Sequence, residues 1–110
     1  MEITERRALL RGLVSEWTTH PPVIPDPVQW YPVMDDASGH YLLLLVGWEQ
    51  GERIHQAALH LRPTPEGQIV LEANTTDENI VDRLVRAGIA PDDIMRGTAT
   101  PHDYRVRRAA

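Results

Sequence analysis

The 110-residue sequence predicts an α+β fold in which an N-terminal helix is followed by a four-stranded antiparallel meander, a second helix and a short irregular C-terminal segment. Three observations carry this. Apolar residues stand at helical spacing near the start, four strand-like runs follow with connections too short to hold helices, and a capping signal then opens a second helical pattern. With 42% hydrophobic and 25% charged residues the composition is ordinary for a globular chain, and the length suits a single domain over residues 1–110.

The first helix is expected over residues 4–19, where Leu10, Leu13, Val14 and Trp17 fall at i, i+3, i+4 and i+7. Pro21, Pro22, Pro25 and Pro27 forbid a continuing helix, so His20 to Pro27 reads as a stiff extended connector. Val28 to Met34 is strand-like, and Pro32, which has no N–H for a ladder, assigns it to a sheet edge. The turn Asp35-Asp36-Ala37-Ser38-Gly39 leads into the apolar run Tyr41 to Trp48, and Gly51 closes a hairpin onto Arg53–Leu61. A second turn, Pro63 to Gly67, precedes a fourth strand over Ile69–Ala73. Thr75 stands three residues before Glu78 at capping-box spacing, which predicts a helix start there. Ile80, Val81, Leu84 and Val85 supply the apolar face of that helix, and Gly88 suits its left-handed C′ position. Pro91 to Ile94 is expected to form one more helical turn, and the pattern dissolves after Gly97.

Charge and composition narrow the function classes. The net charge of −5 gives no general attraction to nucleic acid. All 11 basic residues are arginine, a usage that genome composition explains as readily as bidentate recognition. The absence of cysteine removes disulfides, thiolate metal sites and thiol nucleophiles, and fits a cytoplasmic protein. No signal peptide is read at the N-terminus, and the longest apolar run, Tyr41–Trp48, is far short of the ~20 residues that cross a bilayer. A soluble protein without membrane association is expected.

No catalytic constellation stands out, and no cofactor is expected. His55 and His60, five apart on one strand, are expected on opposite faces and so unable to share a metal. His60 reads as a hydrogen-bonded core or interface residue, although it is also the one candidate base for an enzyme reading. The pairs Asp35-Asp36, Asp77-Glu78 and Asp92-Asp93 fall in turns or first helical turns, where capping accounts for them. Neither serine lies in a nucleophile elbow, and the glycines form no phosphate-binding loop. Arg96, Arg105, Arg107 and Arg108 against Asp103 make the strongest positive stretch, a candidate contact for a partner or for DNA. Both faces of Tyr41–Trp48 are apolar, Leu42, Leu44, Val46 and Trp48 on one and Tyr41, Leu43 and Leu45 on the other. Either the helices divide between the faces or another subunit covers one, and Trp48 is a core or interface signature.

The ordered set Tyr41–Trp48, Arg53-Ile54-His55, Leu59-His60-Leu61, Gly67–Val70 and Ile80–Ile94 through Gly97 resembles the XisI-type fdxN element excision controlling factors over about residues 5–106. The chain departs from that family's usual pattern at Gln68-Ile69-Val70, where Lys-Ile-Trp is common, and at Tyr104-Arg105-Val106 near the end. The resemblance implies a bacterial regulatory accessory protein, working through contacts in control of a DNA rearrangement, with no catalytic residues to carry over. It further implies a XisH-like partner of nuclease fold, and self-association is expected alongside it.

Overall fold

A computed structural model describes residues 1–19 and 27–97. Residues 20–26 of the connector expected over His20 to Pro27 and the tail bearing Arg105, Arg107 and Arg108 lie outside the described residues, as does the side chain of Trp17.

Helix α1 spans Ile3–Thr19, and Leu10, Leu13 and Val14 are buried beneath it as their spacing demands. The sheet runs β1 (Gln29–Asp35), β2 (His40–Glu49), β3 (Glu52–Pro63), β4 (Ile69–Asn74) and β5 (Ile94–Arg96), side by side in that order. The first four strands form the expected antiparallel meander. Pro32 lies in the edge strand β1, opposite Leu43, where its missing donor breaks no ladder within the sheet. Gln50 and Gly51 both adopt positive φ, 50° and 80°, which gives the tight β2–β3 hairpin the twist its strands require.

Three expectations are corrected. The sheet has five strands rather than four and is mixed, because Ile94–Arg96 pairs parallel with β4, Ile69 opposite Ile94 and Leu71 opposite Arg96. The connection through α2 (Ile80–Arg86) and a short 3₁₀ turn, Pro91–Asp93, brings the chain back alongside β4 as a parallel crossover. The helix start also moves, since Asn79 caps α2 by accepting from the Asp82 N–H at 3.0 Å. Thr76 and Glu78 instead belong to a turn organised by Asn74, whose Oδ1 accepts the Thr76 N–H at 3.0 Å and whose amide donates to the Glu78 carbonyl at 3.0 Å. Finally, His55 and His60 share a face. The register slips between Leu43 and Leu44, so Ala58 is an extra residue that sets His60 opposite Leu42 and His55 opposite Val46.

The C-terminus of α2 is as expected. The Ile89 N–H donates to the Leu84 carbonyl and the Gly88 N–H to that of Val85, both at 3.0 Å, with Gly88 at φ 112°.

Both helices cover the same side of the sheet. Leu10, Leu13 and Val14 of α1 and Ile80 and Leu84 of α2 form one core with Tyr41, Leu43, Leu59, Leu61, Ile69 and Leu71, and Arg83 of α2 pairs with Glu16 of α1. Among the described residues, no element lies across the opposite face.

Candidate interaction face

Strand alternation decides what that opposite face presents. β1 contributes Gln29, Tyr31, Val33 and Asp35, and the cross-strand register places Val46, Leu44, Leu42 and His40 of β2 beside them. β3 adds Arg53, His55, Ala57 and His60 next to Trp48, Val46, Leu44 and Leu42. The centre is therefore aliphatic and aromatic, with polar groups at both ends. Trp48 is 52% exposed, Tyr31 47% and Val33 42%, so Trp48 is no core residue but part of this open surface.

At the hairpin end, the Arg53 guanidinium sits 5.5 Å from the centre of the Trp48 ring, within cation–π range. Arg53 also donates to the Gly47 carbonyl at 3.4 Å. Glycine is required at position 47 because a Cβ there would stand 2.1 Å from the Pro27 carbonyl oxygen and 2.7 Å from the Val28 Cα. This close crossing seats β1 against β2 and so builds the hairpin end of the face.

At the other end, His40 Nδ1 and His60 Nε2 are 2.9 Å apart, with ring centres separated by 5.2 Å. The ring centres are farther apart than the nitrogens by about the two ring radii, so the nitrogens meet end to end. One donates and the other accepts. Lone pairs aimed at one another do not converge on a third atom, so this is proton-sharing geometry rather than a metal chelate. No group of three or more metal-ligating side chains occurs among the described residues. Burial, and then the neighbouring His40, push the His60 pKa below its ordinary value, with Arg62 acting in the same direction and Glu72 against it. Glu72 is itself held by Arg62 Nε at 3.2 Å. The carboxylate that acts on His60 is thus engaged by an arginine, and the partner of the imidazole is another imidazole.

The β1–β2 turn fixes the approach to the face. Asp35 accepts the Ala37 N–H and the Ser38 hydroxyl, each at 2.9 Å, and these bonds hold its carboxyl below the usual range. Asp36 accepts the Tyr41 hydroxyl at 2.5 Å, which with Arg11 lowers its pKa. Burial and Asp36 push the Tyr41 phenol up to about 12.

The residues singled out by sequence divide accordingly. His60 and Trp48 mark the two ends of the open face. Arg96 is exposed on β5 but opposite Leu71, which belongs to the helix-covered side, so it stands apart from them. Arg105, Arg107 and Arg108 lie outside the described residues. Sequence reasoning missed His40, whose i, i+2 alternation with Leu42 was the available signal, and Arg6, which is 4% exposed beneath α1. Neither Nε nor Nη1 of Arg6 has a hydrogen-bond partner among the described residues.

Fold and face together define a small α+β sheet protein with one helix-covered side and one apolar side that is open among the described residues. The XisI protein family model matches residues 1–109, and the chain belongs to the XisI family. A solved XisI-like protein from Anabaena variabilis ATCC 29413 is 27% identical, with a TM-score of 0.81 over 92% of this chain and 91% of that one. The fdxN element excision controlling factor XisI of the same organism is 28% identical, with a TM-score of 0.73 over 91% and 95% of the two chains. No curated protein sequence matches. No helix among the described residues is long and apolar enough to cross a membrane.

Proposed function

We propose that this chain is a non-enzymatic regulatory accessory protein that acts by protein–protein contact, in control of DNA element excision or of a nuclease-like partner. Membership of the XisI family supports the regulatory role, since one solved relative is an excision controlling factor. The observation that carries the contact mechanism is the uncovered sheet face, where Tyr31, Val33 and Trp48 are 42–52% exposed around a strand of leucine and valine. An apolar surface of this kind is the usual mark of an interaction site.

The test is co-expression with a XisH-like protein of nuclease fold, followed by size exclusion. A shared elution peak is expected, with partner activity altered relative to the partner alone. Separate elution with unchanged activity contradicts the proposal.

A further inference from the structure

We infer that the open face is closed in solution by the same face of a second copy of this chain, the two sheets stacking about a twofold axis that passes over the middle of β2. The inference rests on the contact reading above and names the occupant of the surface.

Four observations select a second copy. The first is where apolar surface remains: of the five exposed large hydrophobics among the described residues, Tyr31, Val33 and Trp48 are on this face. The second is charge. The chain carries −5, yet on this face Asp35 is offset by Arg53, and Arg62, two residues along β3 from His60, is already paired with Glu72 of β4. The negative excess lies elsewhere, so two copies meet here without net repulsion, whereas a strongly acidic or basic partner finds no opposing field.

The third is how the sheet ends. Pro32 in the middle of β1 withholds a donor from the outer edge, which disfavours joining two copies edge to edge. The other edge, β5, is only three residues long, so face-to-face stacking is favoured over either edge, and two identical sheets have the same twist, which aligned sheet packing requires. The fourth is area. Four strands spaced ~4.8 Å apart and a β2 run from His40 to Trp48 rising ~3.4 Å per residue give about 500 Å² in projection. Two copies therefore cover about 1,000 Å² before side-chain relief is added, which reaches the lower range of specific interfaces. A reversible dimer follows, with Leu44 near the axis.

Light scattering on the full chain across a concentration series tests this. A mass rising toward twice the 12.5 kDa of one chain is expected, and the double variant Tyr31→Glu, Val33→Glu is expected to remain at one. Both substituted side chains are already exposed, and circular dichroism confirms that the variant is folded. Because the chain has no cysteine, Leu44→Cys gives an independent reading: stacked sheets lie ~10 Å apart, beyond disulfide reach, so a short bis-maleimide is expected to cross-link it, while Arg86→Cys on the helix-covered side stays monomeric. A wild-type mass of one chain at every concentration overturns the inference. So does a dimer that ignores the double variant, or equal cross-linking of the two cysteine variants. A monomer that still co-elutes with a XisH-like protein removes the second copy and leaves the contact reading standing. A dimer that fails to co-elute does the reverse.

Discussion

His40 Nδ1 and His60 Nε2 face each other at 2.9 Å across β2 and β3, on the side of the sheet that neither helix covers. A neutral pair shares one proton along this line; a doubly charged pair loses the bond and repels. The His60 pKa is lowered in the folded state, first by burial and then by His40. An unfolded chain therefore binds more protons just below the ordinary histidine value, and stability rises with pH through that window. The contribution is present above the unfolded value of 6.5 and is lost as pH falls through the lower folded value. Urea unfolding is expected to show lower stability near pH 5 than near pH 7.5, and His60→Gln is expected to reduce that difference. An unchanged pH slope in the variant would assign the effect to other groups.

Gly47 lies directly against the backbone of Pro27 and Val28, the residues that lead into β1. Adding a Cβ at Gly47 forces the entry to β1 away from β2, since the atoms it would meet, the Pro27 oxygen at 2.1 Å, the Val28 Cα at 2.7 Å and the Pro27 carbonyl carbon at 2.9 Å, all belong to the main chain. Gly47→Ala is expected to destabilise by about 1–3 kcal/mol, the range for forced overpacking. A denaturation midpoint equal to wild type would refute the crossing.

Arg6 places a guanidinium under α1 with Nε and Nη1 unpartnered among the described residues and only 4% of the residue exposed. A buried donor without an acceptor costs about 1–3 kcal/mol, and a well-packed apolar replacement of similar length recovers part of it. Arg6→Met is expected to raise stability by about 1 kcal/mol in chemical denaturation. A fall of similar size would mean that the guanidinium is anchored after all.

Tyr41 is fully buried and donates to Asp36 at 2.5 Å. Its raised folded pKa favours the neutral phenol, so its contribution is complete below about 10 and is lost as pH rises through about 12. Tyr41→Phe is expected to cost about 1 kcal/mol at neutral pH through loss of this hydrogen bond. The variant should also show a shallower loss of stability in alkali, read by unfolding at a series of high pH values.

Much of the fold was legible because its determinants are local. The 3.6-residue stripe at Leu10, Leu13 and Val14, the edge position of Pro32 and the capping role of Gly88 each depend on a few neighbouring residues. β5 was not legible, since Ile94-Met95-Arg96 is too short to show a period and is a strand only because β4 lies beside it. The same holds for the extra residue at Ala58, which arises from pairing with β2 and reverses which face His55 occupies. The capping-box spacing of Thr75 and Glu78 misled because the two donors it would satisfy are taken elsewhere, the Glu78 N–H by the Thr76 hydroxyl at 3.3 Å and the Thr75 N–H by the Ala58 carbonyl of β3 at 2.8 Å. At the open face, two apolar sides on one strand were readable from Tyr41–Trp48. That both helices choose the same side, and that His40 meets His60, are tertiary facts with no local signal.

The central claim is that the open face is covered in the working assembly. Hydroxyl-radical footprinting reads this directly, because Tyr31 and Trp48 lie on the face while Met1, 51% exposed, lies on α1's approach and serves as an internal control. As protein concentration is raised, Tyr31 and Trp48 are expected to become protected while Met1 keeps its reactivity. Equal reactivity of Tyr31 and Trp48 at all concentrations, and with a XisH-like partner present, would contradict the account.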